Sequence, residues 1–157
     1  MAIYLIRHAQ SAFNAVYDPS QPDPMIFDAP ITPLGEMQAK QARAKVQHLD
    51  LTNVIVSPFT RTLQTAHLIF EDTLPFQINA DVREQLSNSC DVGSHPDILA
   101  KAYPHLDFDH LEECWWHQGT LDQRGIAVEP PEVLQRRADA FAGFLKQERI
   151  HSTAIVT

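Results

Sequence analysis

The stretch that decides the fold is Ile3-Tyr4-Leu5-Ile6-Arg7-His8-Ala9-Gln10-Ser11, which is followed closely by Asn14. Its first four residues are apolar and do not alternate with polar ones, which is typical of a strand buried on both faces of a parallel sheet. Ligands of open α/β sheets bind just beyond the carboxyl ends of the strands. Arg7 and His8 at such an end suit an anionic ligand and a nucleophile. On these residues alone, a strand that simply meets solvent at Arg7 is the stronger interpretation, and the rest of the chain reverses it.

The second apolar run ends in the same way. Residues 53–56 are followed by Ser57-Pro58, and a helix is predicted from about Thr60, with Arg61 in its first turn. Helix N-termini favour anions because they present free N–H groups and a positive dipole end. Arginine can hold a phosphate with two donors at once. Taken alone, Arg61 is equally well explained as a solvated residue on a helix face.

The rest of the chain alternates between helix and strand patterns. The pattern predicts helices over residues 32–49, 60–70, 94–103, 109–115 and 130–145, and further strands at 76–78 and 153–157. This order indicates a layered α/β fold with a mainly parallel central sheet. A chain of 157 residues has room for one core, so we expect a single domain over residues 1–157. Within it, residues 85–130 should form an excursion that crosses the strand ends and walls the site.

The charge balance excludes several classes of partner. The chain has 20 acidic and 12 basic residues, a net charge of −8, which argues against general binding of nucleic acid. No apolar run approaches a membrane span, and no signal peptide is evident, so we expect no membrane partner. Cys90 and Cys114 lie far apart, which favours a reduced, cytoplasmic setting. Because the net charge is negative, any anion site must be built locally from basic side chains.

Glu84 follows the third predicted strand. A carboxylate beside a bound phosphate holds its proton more tightly, which suits it to donate that proton to a leaving group. Alone, Glu84 is better explained as a surface charge. Its place after His8 and Arg61, each at a strand end, gives it a functional interpretation.

Four stretches together resemble one family. In chain order, these stretches are Arg7-His8-Ala9-Gln10-Ser11-x-x-Asn14, Ile31-Thr32-Pro33-Leu34-Gly35-Glu36-x-Gln38-Ala39, Ser57-Pro58-x-x-Arg61-Thr62-x-Gln64-Thr65-Ala66 and the Glu84 segment, which is also the order in the family. They resemble the histidine phosphatase superfamily, in its phosphoglycerate mutase-like branch. The stretch Cys90-Asp91-Val92-Gly93-Ser94 with Trp115-Trp116 resembles a less characterised subset of the same branch.

The resemblance implies a three-layer α/β/α sandwich and phosphoryl transfer in two steps. His8 would become a phosphohistidine, and Glu84 would protonate the leaving oxygen. Arg7, Arg61 and Asn14 would bind the phosphoryl oxygens, with minor contributions from Ser11 and Gln10. Fixed cations can supply the charge stabilisation that metal ions give elsewhere, so the resemblance implies no metal and no other cofactor.

Two departures from the family pattern stand out. Ala9 replaces the usual glycine of the Arg-His-Gly signature, which would slightly restrict the approach of the backbone to a phosphate. Residues 154–156 form a buried strand that should lie centrally in the sheet, and the sequence ends just after it, at Thr157. We therefore expect the chain to lack its C-terminal part, with His-Gly or a close equivalent following Thr157.

The remaining histidines allow other interpretations. His105 and His110, with nearby aspartates, superficially suggest a metal site, but no further ligand pattern supports one. His95 or His117 could line the pocket. We expect Trp115 and Trp116 to pack the excursion against the core.

The leading hypothesis is a metal-independent phosphatase that acts on a small phosphorylated metabolite. A phosphoglycerate mutase and a non-catalytic module that binds phosphate or phosphoproteins on the same fold stay open as alternatives. The substrate and any homodimer also stay open.

Overall fold

One parallel sheet of four strands organises the molecule. The computed structural model describes residues 2–71, 73–148 and 152–157. In this part of the chain the strands are β1 (Ala2–Ile6), β2 (Asn53–Val56), β3 (Phe76–Ile78) and β4 (Ser152–Val156). Their order across the sheet is β1-β4-β2-β3, and every pairing is parallel. The four predicted strands and the parallel sheet are confirmed, and β4 lies inside the sheet as expected.

Helices cover both faces of the sheet. The described helices are α1 (Ala12–Val16), α2 (Pro33–Val46), α3 (Thr60–Phe70), α4 (Pro96–Ala102) and α5 (Pro131–Gln147). On one face, the valines and alanine of the inner strands pack with Ala39 of α2 and Leu63 of α3. On the other face, Ile55 and Ile155 pack against Phe141 and Phe144 of α5. This is the three-layer α/β/α sandwich that the resemblance implied.

β1 differs from the expectation of a strand buried on both faces. Leu5 is 75% exposed and Ile3 is 37% exposed. β1 is an edge strand among the described residues, since it pairs only with β4 there. Leu5 pairs in register with Ile155, so its side chain lies on the face covered by α5, but the aromatic residues of α5 pack on the two inner strands. The apolar run therefore predicted the strand correctly, but the prediction that both of its faces are buried is wrong.

The start of α2 is built by three features of its sequence. The Oγ1 of Thr32 accepts a hydrogen bond from the N–H of Gly35, and Pro33 occupies the first helical position. A Cβ added at Gly35 would lie 2.3 Å from the carbonyl oxygen of Gln10. Glycine is therefore needed because the first turn of α2 contacts the backbone just after His8.

The excursion contains less helix than predicted. α4 begins after His95, close to the predicted position, but residues 109–115 form turns rather than a helix. Asp107 accepts a hydrogen bond from the N–H of Asp109, a local bond that competes with helix formation. Trp115 is buried against Phe59, with 4.8 Å between ring centroids, so it packs the excursion on the core as expected. Residues 12–16, just after β1, form a short helix, α1, that the pattern did not predict.

In the described ranges, each helix is either too short or too polar to cross a membrane.

Candidate active site

The predicted site residues come together at the carboxyl end of the sheet. One cavity of about 230 Å³ is lined by Arg7, His8, Asn14, Arg61 and Glu84. β1 delivers Arg7 and His8, α1 carries Asn14, α3 carries Arg61, and the segment after β3 carries Glu84. A second cavity of about 320 Å³ shares some of this lining and adds Gln10 and Gln38. The sequence therefore identified one place in the fold, with several elements contributing.

The imidazole of His8 is oriented by its own backbone neighbour. Its Nδ1 lies 2.7 Å from the carbonyl oxygen of Ala9. Because a carbonyl oxygen only accepts, Nδ1 carries the proton, and Nε2 carries the lone pair of the neutral ring. The methyl group of Ala9 packs into the core, and Ala9 lines neither site cavity.

The electrostatics of the site keep His8 neutral. Burial lowers the pKa of His8 to about 4, with the cations Arg61 and Arg7 acting in the same direction and the hydrogen bond to Ala9 opposing them. A charged imidazole loses hydration on burial and is repelled by nearby arginines, so the neutral form is favoured. At pH 7 the ring is therefore unprotonated at Nε2, as a nucleophile must be.

Arg61 is held by residues of the excursion. Its side chain is 2% exposed. Nη1 donates to the carbonyl oxygen of Cys90 at 2.6 Å, and Nη2 donates to Oδ1 of Asp91 at 3.0 Å. The guanidinium carbon lies 4.2 Å from the ring centroid of Phe59, a cation–π contact. The guanidinium is thus fixed on one side by the protein.

The N-terminus of α3 differs from the expected open anion site. The N–H of Thr60 donates to Oδ1 of Asp28 at 2.8 Å, and the Thr60 hydroxyl donates to Oδ2 at 2.7 Å. Asp28 also accepts from the hydroxyl of Ser94, and its φ of 39° lies in the left-handed region. A carboxylate of the chain itself therefore occupies this helix end. The terminus of α3 therefore plays a structural role, while Arg61 lines the site cavity.

Asn14, Ser11 and Gln10 are bound into the local fold. Oδ1 of Asn14 accepts from the N–H and the hydroxyl of Ser11, at 3.1 and 2.9 Å, in a capping box at α1. With Oδ1 committed, Nδ2 is the atom of Asn14 that can serve a ligand. The side chain of Gln10 accepts from the hydroxyl of Thr32 at 2.7 Å. Ser11 is 1% exposed. The side chains of Ser11 and Gln10 thus serve the ends of α1 and α2, and any role toward a substrate stays a prediction.

A buried ion network fixes the backbone that carries Glu84. Glu84 itself is exposed at the cavity. Glu129, which is 0% exposed, accepts from Nη2 of Arg137 at 2.7 Å and from Nη2 of Arg83 at 3.2 Å. Nη1 of Arg137 also donates to the carbonyl oxygens of Asp81 and Arg83. These bonds hold the backbone just before Glu84. On the other side of Glu84, Nε2 of Gln85 donates to the carbonyl oxygen of Glu129 at 2.8 Å.

Sequence reasoning assigned no role to Asp28, Asp91, Glu129 or Arg137. Burial raises the pKa of Glu129, but the hydrogen bond and charge of Arg137, with the charge of Arg83, outweigh it and leave the pKa below its ordinary value. Arg61 and Asp91 are 30 positions apart, Thr60 and Asp28 are 32 apart, and Arg83 and Glu129 are 46 apart, so no local spacing marks these pairs. Glu129 and Arg137 are 8 positions apart. Asp91 alone had a signal, since it lies in one of the stretches that resemble the family.

The other histidines lie elsewhere. Nδ1 of His95 accepts from the N–H of Asp97 at the start of α4, and His95 lines a different cavity. His117 does not line either site cavity, so the suggestion that His95 or His117 lines the pocket is wrong. Nε2 of His110 lies 2.9 Å from the carbonyl oxygen of Ile78, and the ring of His105 contacts that of His67. Among residues 2–71, 73–148 and 152–157, no three side chains of metal-binding type cluster together.

Known structures share this fold. The alpha-ribazole phosphatase from Shigella flexneri aligns with a TM-score of 0.64 and 21% identity, over 100% of this chain and 73% of that one. A mycobacterial glucosyl-3-phosphoglycerate phosphatase solved with VO3 aligns with a TM-score of 0.60 and 18% identity, over 98% of this chain and 73% of that one.

Sequence relatives are closer. "Probable phosphoglycerate mutase GpmB" of Enterobacter sp. (strain 638) is 35% identical over 144 residues, and the protein of the same name from Escherichia coli O139:H28 is 33% identical over 151 residues. Each match covers 89% of this chain and 60% of the relative. The chain thus spans about 60% of the length of the curated relatives it matches. The family model described as histidine phosphatase superfamily (branch 1) matches residues 3–157. With that match over nearly the whole sequence, the chain belongs to the histidine phosphatase superfamily, in its phosphoglycerate mutase-like branch.

Proposed function

We propose that the chain is the catalytic part of a metal-independent phosphatase that acts on a small phosphorylated metabolite through a phosphohistidine on His8. The observation that carries this proposal is the state of His8. Its ring is neutral, its Nδ1 is anchored on Ala9, and it lines a cavity together with Arg7, Arg61 and Glu84. A nucleophile, two cations and a carboxylate in one cavity are the parts that phosphoryl transfer requires.

In the first step, Nε2 of His8 attacks phosphorus. The N–P bond forms as the bond from phosphorus to the leaving oxygen breaks, and Glu84 gives its proton to that oxygen. The ring gains positive charge as the N–P bond forms, and the carbonyl oxygen of Ala9 stabilises it through Nδ1–H. The guanidinium groups of Arg7 and Arg61 offset the negative charge of the phosphoryl oxygens, which is why we assign no metal to the reaction.

In the second step, water attacks the phosphohistidine. Glu84, now a carboxylate, takes a proton from the water, the N–P bond breaks, and inorganic phosphate leaves. His8 and Glu84 then return to their starting protonation states. Covalent catalysis of this kind replaces one difficult displacement with two easier ones.

The carboxyl end of β4 also reaches the site. The N–H of His8 donates to the carbonyl oxygen of Thr157 at 2.7 Å, so the chain leaves β4 beside the nucleophile. A cytoplasmic location and a small-molecule substrate also stay predictions.

Phosphoglycerate mutase activity is the second candidate. The relatives that are 33–35% identical carry that name. A mutase would keep the phosphoryl group on His8 and return it to the product, whereas a phosphatase would lose it to water. Incubation with one phosphoglycerate isomer, with a bisphosphoglycerate added as the phosphoryl donor, separates the two, because a mutase yields the other isomer and a phosphatase yields free phosphate.

Rapid-quench labelling tests the proposal. The protein is mixed with a panel of radioactive phosphomonoesters, and quenched samples are treated with acid and with base. We expect a label that is stable in base, is lost in acid and maps to His8. Label that persists in the His8→Ala variant would overturn the proposal. Phosphate binding without any label would favour the non-catalytic binding module.

A further inference from the structure

Asp91 forms a buried ion pair with Arg61, with 3.0 Å between Oδ1 and Nη2. It is 3% exposed, and its Oδ1 accepts from Nη2 of Arg61. Its other oxygen, Oδ2, accepts from the N–H groups of Ser87 at 3.2 Å and Asn88 at 3.1 Å. Asp91 is therefore fixed by the backbone on one side and bonded to Arg61 on the other.

The two bonds from the excursion define the orientation of the guanidinium. One Nη nitrogen of Arg61 is bonded to the carbonyl oxygen of Cys90, and the other to Asp91. Contacts at both nitrogens prevent rotation in a way that one contact does not. A guanidinium carries more N–H donors than these bonds consume. Because Arg61 lines the site cavity, the remaining donors are the ones that could reach a phosphoryl group.

We propose that Asp91 is a positioning residue that sets the orientation of Arg61 toward the phosphoryl group. This inference rests on the proposed function, since it assigns Arg61 to the phosphate. Asp91 itself carries a negative charge and would repel the substrate, so it acts through Arg61. The backbone of residues 87–88 holds Asp91, and in this way the excursion controls the geometry of a residue on α3.

A double-mutant cycle tests the proposal. Asn cannot replace Asp91 fully, because one oxygen becomes an NH₂ group and faces either Arg61 or the N–H groups of residues 87–88. In the parent protein we expect Asp91→Asn to lower kcat/KM about tenfold, within the range for residues of one hydrogen-bond network. The dissociation constant of inorganic phosphate should rise in parallel. In the Arg61→Ala background the same substitution should change either quantity by less than about twofold.

Matched controls make the result decisive. Asp97→Asn removes an exposed carboxylate of α4 and should leave both quantities unchanged. If Asp91→Asn fails to fold by circular dichroism, Asp91→Glu keeps the charge but moves it by one methylene, and we expect the same loss. Equal losses in the parent and in the Arg61→Ala background would overturn the proposal, as would no loss in the parent.

The phosphate-binding arm separates this inference from the proposed function. A protein that binds phosphate but shows neither turnover nor label on His8 would contradict the phosphatase proposal. The double-mutant cycle, measured on the dissociation constant of phosphate, would still decide the role of Asp91. A folded parent protein that does not bind phosphate would contradict both.

Discussion

Nδ1 of His8 lies 2.7 Å from the carbonyl oxygen of Ala9, the next residue in the chain. The orientation of the ring therefore depends on the turn after β1. That turn is itself held in place, since the N–H of Ala9 donates to Oγ1 of Thr65 on α3 and the N–H of His8 donates to Thr157. Hydrogen bonds thus fix the turn that carries His8, and the protonation state of the ring can be measured directly.

We predict that His8 titrates far below an ordinary histidine. In an NMR titration of the imidazole signals, its midpoint should lie at about 4. Arg61→Ala should raise the pKa, because it removes a cation that disfavours the charged ring. Arg61→Lys keeps a cation and should shift the midpoint less. A midpoint near the ordinary value of about 6.5 in the parent protein would contradict the assignment.

The same shift predicts a pH dependence of stability. The unfolded chain binds a proton at His8 at about pH 6.5, and the folded protein binds it only at about pH 4. The contribution of neutral His8 to the free energy of unfolding is fully present above pH 6.5. It is lost as the pH falls from 6.5 to 4, because the unfolded state binds more protons than the folded state in that range. Urea unfolding between pH 7 and pH 5 should show a decline that is smaller in His8→Asn, whose side chain does not titrate. Parallel declines would assign the effect to other groups.

Arg61→Ala should lower kcat/KM by a factor on the order of 10²–10³, the usual loss for one preorganised donor directed at transition-state charge. Arg61→Lys should recover only part of this, because an ammonium group cannot keep contacts with Cys90 and Asp91 and also serve a phosphoryl oxygen. Arg43→Ala, on the exposed part of α2, is the matched control. If Arg61→Ala has the same kcat/KM and the same vanadate affinity as the parent protein, the role of Arg61 is structural.

We expect Glu84→Gln to affect substrates according to their leaving groups. Alkyl phosphates need a proton on the leaving oxygen in the transition state, whereas activated aryl phosphates do not. The variant should therefore slow alkyl phosphates far more than p-nitrophenyl phosphate. Gln85→Glu, which restores a carboxylate at the next position, should not rescue the activity. Equal losses on both substrates would indicate binding or structure as the role of Glu84.

The sequence was sufficient for the parts of this molecule that depend on local order. Apolar runs identified the four strands of the described residues. The predicted start of α2 at residue 32 was also close, because capping by Thr32 is a local interaction. The apolar pattern of β1 could not predict its exposure, because burial depends on which strand and helix lie next to it.

The site shows the same division. His8, Arg61 and Glu84 were found because each follows a strand and belongs to a motif. The residues that orient them were missed because the bonds join segments far apart in the sequence. Asp28 and Thr60, for example, are 32 positions apart, and Glu129 and Arg83 are 46 apart. The carboxylate of Asp28 also changed the interpretation of the α3 terminus, which sequence reasoning had left open to a phosphate.

The last prediction concerns the buried network behind Glu84. Glu129 is the shared acceptor of Arg137 and Arg83, and all three side chains are at least largely buried. Removing one member of a buried ion network leaves uncompensated charge and typically costs about 3–5 kcal/mol. Glu129→Gln should therefore lower the free energy of unfolding by an amount of that order. Glu132→Gln, on the exposed first turn of α5, should leave it unchanged.

The network should also matter for catalysis through the backbone that it holds. With Glu129 neutral, Arg137 loses the partner that directs it to the carbonyl oxygens of Asp81 and Arg83. We expect kcat for alkyl phosphates to fall in the Glu129→Gln variant at temperatures where the protein is still folded, while p-nitrophenyl phosphate is affected less. This leaving-group pattern would match that of Glu84→Gln, because both changes act on the proton donor. A stability loss with both substrates equally affected would mean that the network supports the fold and does not position Glu84.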